Sequence, residues 1–277
     1  MDTILQALVM GIVQGLTEFL PVSSSGHLII VPSLFGWNDP FITSLAFTVM
    51  LHVGTLVALL SYFRADWVRL VPAGLAVLRD RSFRDDPDRK LAWLLAAATI
   101  PAALAGLLFN DQVEAQFAES PVGLVALTLV VGGVILLVAD RLGRRDRTVE
   151  GVTFPIAIAI GAAQALALIP GISRSGISIS AGRLAGLDRA AAARFAFLMA
   201  TPITAGAIIF EARSLLTGEA GVAVALEPLV VGMLAALVSG FLAIHFMLRY
   251  LRTRSLDIFV WYRFVLAAVV LVVWLAR

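Results

Sequence analysis

Residues 11–28 read GIVQGLTEFLPVSSSGHL, and residues 161–178 read GAAQALALIPGISRSGIS. The two stretches align without a gap at an offset of 150 residues, pairing Gly11 with Gly161, Gln14 with Gln164, Leu16 with Leu166, Ser23 with Ser173, Ser25 with Ser175 and Gly26 with Gly176. Each copy places polar, hydroxyl-rich chain inside an apolar stretch, broken at Pro21 or Pro170. Proline removes a backbone donor and clashes with the preceding turn, and a serine just after it can cap the next half-helix. The copies differ in their polar additions. Only the first carries Glu18 and His27, and only the second carries Arg174. Such divergence of a duplicated scaffold points to one composite site.

The solvent around this motif follows from composition. Hydrophobic residues make up 60% of the 277 and charged ones 14%, with a mean hydropathy of +0.95. A soluble domain is about a quarter charged, so the chain reads as an all-α polytopic membrane protein. Period-2 alternation for a β-barrel is absent. The absence of cysteine excludes thiol chemistry, and a total of three histidines argues against a multi-histidine metal site. The opening MDTILQALVM has no basic n-region and reads as the first membrane helix. Nothing in the charge pattern points to nucleic acid.

Apolar segments fall at 3–20, 22–36, 41–63, 91–109, 122–140, 151–169, 171–184, 189–214, 228–248 and 258–276. Basic residues collect in 64–90 (Arg64, Arg69, Arg79, Arg81, Arg84, Arg89 and Lys90), in 141–147 and in 249–254. Acidic residues stand alone in 110–121 (Asp111, Glu114, Glu119) and 215–227 (Glu219, Glu227). The positive-inside rule puts the basic loops in the cytoplasm. Arg183, Arg189 and Arg194 favour a cytoplasmic start for 189–214, so 151–184 must leave and return on one side. The same parity makes 3–36 a hairpin from the other side. The expected architecture is a single membrane domain of two inverted repeats, 1–147 and 148–277, each one re-entrant hairpin plus three transmembrane helices. In such folds the binding site lies where the broken helices meet.

The half-helix ends at the two breaks aim free N–H groups at the kinks, as phosphate-binding helix N-termini do. Glu18 is an intramembrane acid, functional by default, and Gln14 shares its helix face. His27 can act as acid or base near neutral pH. Arg174 has a fork suited to phosphate, with a pairing to Glu18 as the competing use. Arg213, Glu211 and Arg263 read as snorkelling at span ends. His52 and His245 read as histidines tolerated in apolar spans. The small residues beside Pro101 and Pro202 read as helix contacts.

At these residues the chain resembles the undecaprenyl-diphosphate phosphatases of bacteria, the bacitracin-resistance proteins. The likeness is carried by Gln14-Gly15-Leu16-Thr17-Glu18, by Pro21-Val22-Ser23-Ser24-Ser25-Gly26-His27, and by Pro170-Gly171-Ile172-Ser173-Arg174-Ser175-Gly176-Ile177-Ser178. Gln14 stands at a position where the family takes Glu or Gln, and Ser178 stands in place of a threonine. The resemblance implies hydrolysis of a polyprenyl diphosphate in the bacterial inner membrane at a site opening to the periplasm. It also implies a divalent cation, magnesium or calcium, on Glu18 with Gln14. Ser24, His27, Glu18 and Arg174 are the implied catalytic residues. Gln14, Ser23, Ser25, Gly26, Gly171, Ser173, Ser175 and Ser178 are the implied substrate contacts. Ser24 activated by His27 is the expected nucleophile, with His27 itself as the rival. A transporter or flippase of polyprenyl phosphate or another anion is the alternative function; a scaffold explains none of the intramembrane polar groups. A homodimer stays open.

Overall fold

Long apolar runs without water leave the backbone no partner but itself, so they fold as helices. The computed structural model describes residues 2–83, 86–118, 121–144, 146–216 and 225–276. Arg84, Glu119, Arg145 and Glu219 lie outside the described residues, as do the side chains of Glu114 and Arg213. Eleven α-helices follow in order among the described residues: α1 Thr3–Phe19, α2 Ser24–Phe35, α3 Leu45–Tyr62, α4 Arg64–Asp80, α5 Pro87–Ala118, α6 Pro121–Leu142, α7 Phe154–Gln164, α8 Arg174–Leu184, α9 Arg189–Leu216, α10 Leu226–Tyr250 and α11 Asp257–Leu275. A 3₁₀ turn, Ala165–Leu168, extends α7.

Six of these helices, α3, α5, α6, α9, α10 and α11, are long and apolar enough to cross a bilayer. The others are not. At 1.5 Å per residue, α1 is only about 26 Å long and α2 about 18 Å, short of the ~30 Å hydrocarbon core. α7 and α8 are shorter still. The pairs α1–α2 and α7–α8 are therefore broken hairpins, as the prolines predict.

Packing exchanges the two sequence halves. α1 lies chiefly on α10, and α7 lies chiefly on α5. Close approach sets the residue at each seam: a methyl group at Gly11 would collide with the Gly232 carbonyl of α10, and one at the repeat-related Gly161 with the Ala98 carbonyl of α5. α3 meets α9, and α6 meets α11. The broken hairpins thus sit inside a frame of spans.

Two segments expected as loops are helical. Residues 64–80 form α4, which packs on α5 through buried Leu70 and accepts a bond from Trp93 Nε1 at the Gly74 carbonyl, 3.1 Å. Its other face exposes Val68, Val71, Leu75 and Leu78. Five of its 17 residues are charged and break up its apolar runs, so apolar-run reading passes over it; amphipathic periodicity is what marks it. The segment 110–118 likewise continues α5 rather than forming a loop.

At the basic end, Arg183 is fully buried. It donates to the carbonyls of Leu187 (2.5 Å), Arg144 (2.7 Å) and Gly143 (2.9 Å) and to Asp140 (3.3 Å). Arg189 pairs with the same carboxylate at 2.7 Å. One acid thereby joins α6, α8 and α9.

Candidate active site at the paired helix breaks

Each break is built the same way. Ser23 (φ 76°) and Ser173 (φ 78°) both take positive φ, a region strained for a residue with a Cβ. Each caps the helix after it, accepting from Gly26 N at 3.3 Å or Gly176 N at 3.1 Å. Each also lies within hydrogen-bond distance of the serine two residues on, Ser25 at 3.3 Å or Ser175 at 3.2 Å. Such strain persists only where the surroundings over-determine it.

The surroundings do. Gly171 N donates to Ser23 Oγ at 3.1 Å, and Ser175 Oγ donates to the Leu20 carbonyl at 3.1 Å, so each hairpin bonds the other. Arg263 of α11, wholly buried, donates to Pro21 O (3.2 Å), Gly171 O (2.6 Å), Ile172 O (3.0 Å) and Leu129 O (3.0 Å). Thr128 of α6 donates to Pro170 O at 2.5 Å. Apart from Leu129 O, which lies within α6, these are carbonyls at the two breaks, where the helical ladder is interrupted. Arg263 does not snorkel, as the sequence reading expected; it pins both breaks together. A span-end arginine normally reaches headgroups, but three buried carbonyls at the breaks, with that of Leu129, occupy this guanidinium instead.

The chemistry collects at Glu18, a buried residue of α1. Its Oε2 accepts from Ser24 Oγ at 2.5 Å and from Gln14 Nε2 at 3.1 Å. Its Oε1 pairs with Arg174 Nη2, and Arg174 Nη1 donates to Thr204 Oγ1 of α9 at 2.9 Å. Glu18, Gln14, Ser24 and Arg174 are therefore brought into one contact from both repeats. Ser24 and Arg174 border a cavity of about 440 Å³, of small-molecule size. Its polar lining comprises Ser24, Ser25, His52, Gln164, Ser173 and Arg174, with Thr99, Asn110 and Glu211. Its walls come from α5 and α9, including Ala102, Ala103, Gly106, Ile203, Gly206 and Ala207. These small residues shape a space rather than a tight helix contact: a methyl group at Gly206 would meet nothing within 4 Å. Glu211 lines the same cavity instead of snorkelling.

His27 is engaged elsewhere. Its Nδ1 lies 2.6 Å from the Ser23 carbonyl and its Nε2 lies 2.7 Å from the Tyr262 hydroxyl, with the two rings stacked. A carbonyl only accepts, so Nδ1 donates, and in the neutral ring Tyr262 donates to Nε2. The structure thus places Glu18, not His27, on the Ser24 hydroxyl. Ser178 is buried and donates to Gln164 Oε1 at 3.4 Å, and Gly26 packs against Gly171.

Sequence reasoning missed Tyr262, Thr204, Thr128 and the cavity position of His52, whose Nδ1 lies 2.9 Å from the Thr48 carbonyl. Arg263 and His52 did leave a signal, as polar residues within apolar runs. The three hydroxyl residues left none, because such side chains commonly satisfy themselves on their own helix.

A family model described as "Bacitracin resistance protein BacA" matches residues 7–269. The chain belongs to the BacA family. BacA relatives match along nearly the whole length. "Undecaprenyl-diphosphatase" of Moorella thermoacetica is 47% identical over 276 residues, 99% of this chain and 100% of the relative. The proteins of the same description from Nocardioides sp. and Gemmatimonas aurantiaca are 45% and 47% identical, each over 268 residues and 97% of this chain, covering 95% and 97% of the relatives.

Proposed function

We propose that this protein hydrolyses undecaprenyl diphosphate to undecaprenyl phosphate and inorganic phosphate, renewing the lipid carrier of cell-wall synthesis. The name borne by its full-length relatives supports this, as does a largely apolar cavity in a membrane fold that carries Ser24 and Arg174 on its lining. The observation that carries it is the Ser24 hydroxyl on the Glu18 carboxylate, with Arg174 beside both.

Phosphoryl transfer is mostly positioning and electrostatic stabilisation. In our reading the terminal phosphate displaces Arg174 from Glu18 and takes its guanidinium as a charge-matched fork. Ser24 Oγ attacks the terminal phosphorus while its proton passes to Glu18 Oε2. The bond from that phosphorus to the bridging oxygen breaks, and undecaprenyl phosphate leaves with the bridging oxygen. Glu18 gives its proton up to the departing phosphate and then takes one from a water that attacks the phosphoserine; the P–Oγ bond breaks and that proton passes from Glu18 to Ser24 Oγ, freeing phosphate and restoring both residues. His27 holds the Ser23 carbonyl and so the start of α2. It acts on the nucleophile through the backbone.

A divalent cation fits this donor set. Gln14 Oε1 is buried without a partner among the described residues, and Glu18 adds a carboxylate. No group of three or more histidine or acidic side chains is placed to hold a metal among the described residues, so phosphate and water oxygens would complete the ligands, as magnesium often arranges. When bound, the ion would neutralise charge on the diphosphate.

The two halves, 1–147 and 148–277, form an inverted repeat in this account, and the site opens to the periplasm. Supporting this, the cavity reaches Asn110 and Glu211, on the parts of α5 and α9 remote from their basic starts at Arg89 and Arg189. The isoprenyl chain runs between α5 and α9 into the bilayer. The test is phosphate release from undecaprenyl diphosphate by purified protein in detergent, with magnesium, calcium or chelator. Release that is lost in a folded Arg174→Ala variant is expected. A folded wild type that releases none would make lipid-phosphate transport the lead.

A further inference from the structure

The repeat assigns its two glutamines different surroundings. In the first copy α1 stays α-helical through Phe19, which sets Gln14 and Glu18 one turn apart and lets the Gln14 amide donate to the acid at 3.1 Å. At the matching positions of the second copy, Gln164 is followed by Leu168. There is no acid to receive its amide hydrogens, and the backbone tightens from α to 3₁₀ directly after Gln164. The Gln164 amide nitrogen has no hydrogen-bond partner among the described residues, although the residue is only 3% exposed. Buried donors left unpaired are rare and call for an explanation. Ser178 donates to the amide oxygen at 3.4 Å, which orients the other end of the amide away from Ser178. Gln164 is one of the residues that line the cavity, together with Ser173, Arg174 and Leu168.

Resting on the phosphatase reading above, we propose that Gln164 is a substrate-binding residue that donates to the ester phosphate, the one attached to the lipid. The terminal phosphate must sit at Ser24 and Arg174, and the isoprenyl chain lies between α5 and α9. The ester phosphate joins the two, and Gln164 lines the same cavity as Ser24, Arg174 and the α5 and α9 walls. A neutral donor there grips the phosphate without a second buried cation. Because the ester phosphate is retained in the product, Gln164 holds the monophosphate as well as the diphosphate.

The test uses full-length Gln164→Met, which keeps the size and loses the donor, and Gln164→Glu, which puts a charge there. Phosphate release from farnesyl diphosphate gives KM and kcat, and calorimetric titration with farnesyl monophosphate gives affinity directly. Loss of a hydrogen bond to a charged group predicts at least about a tenfold rise in KM and a like fall in monophosphate affinity for Gln164→Met, with kcat within about threefold. Gln164→Glu loses more, by repulsion. Melting temperature shows folding, and the glutamate variant decides the matter if the methionine variant does not fold. Unchanged monophosphate affinity in a folded variant overturns the proposal. A wild type that binds farnesyl monophosphate but releases no phosphate overturns the phosphatase reading instead, and the titration still decides the role of Gln164.

Discussion

The Ser24 hydroxyl donates to Oε2 of Glu18 across 2.5 Å. That bond joins a residue before the first helix break to one after it, and Arg174 from the second break meets the same carboxylate. In the mechanism proposed above, Glu18 is a base already on its nucleophile and needs no further group to relay the proton. Replacing Glu18 by Gln keeps the shape and removes the base, so kcat should fall about a thousandfold, measured as phosphate release. A Glu18→Gln variant within tenfold of wild type would remove Glu18 from that role.

His27 works through the Ser23 carbonyl, which its Nδ1 meets at 2.6 Å. An asparagine amide at the same place can reproduce that donor but cannot serve as a proton-transferring base. His27→Asn should therefore retain clearly more activity than His27→Ala. Equal loss in the two folded variants would return the imidazole to a base role.

Arg263 donates to three backbone carbonyls at the two breaks and to that of Leu129 in α6. Leaving them unpaired at membrane depth should destabilise the protein by about 3 kcal/mol or more in Arg263→Met, read by thermal unfolding in detergent. Arg263→Lys should recover part of it, because a compact ammonium cannot fork across carbonyls from two hairpins. A methionine variant as stable as wild type would contradict the pinning role.

Ser173 combines a strained backbone, φ 78°, with a capping bond to Gly176 N. Alanine loses the cap and keeps the strain, whereas glycine loses the cap and relieves it. Ser173→Gly should thus be about 1 kcal/mol more stable than Ser173→Ala. The reverse order in thermal unfolding would mean that the break is not strained.

The helix breaks and the spans were legible because lipid leaves few choices: an apolar run becomes a helix, and proline with serines breaks it. The gathering of Gln14, Glu18, Ser24 and Arg174 was legible because the repeat marked both breaks as related. What the sequence hid was of three kinds. Helix α4 hides in a run whose average is polar, since its apolar strip at Val68, Val71, Leu75 and Leu78 appears only at helical spacing. Arg263 looked like a span-end arginine because its carbonyl partners lie in remote segments and carry no side-chain signature. His27 looked like the base on Ser24 because sequence proximity does not say which way a ring turns, and here Tyr262 of α11 holds it.

The most direct test of the account is chemical capture of the intermediate. Protein turning over on farnesyl diphosphate would be quenched rapidly and its phosphorylated peptide mapped by mass spectrometry. The account predicts phosphate on Ser24, absent from Ser24→Ala along with turnover. Phosphate on His27 that survives in Ser24→Ala, or full turnover by that variant, would contradict it.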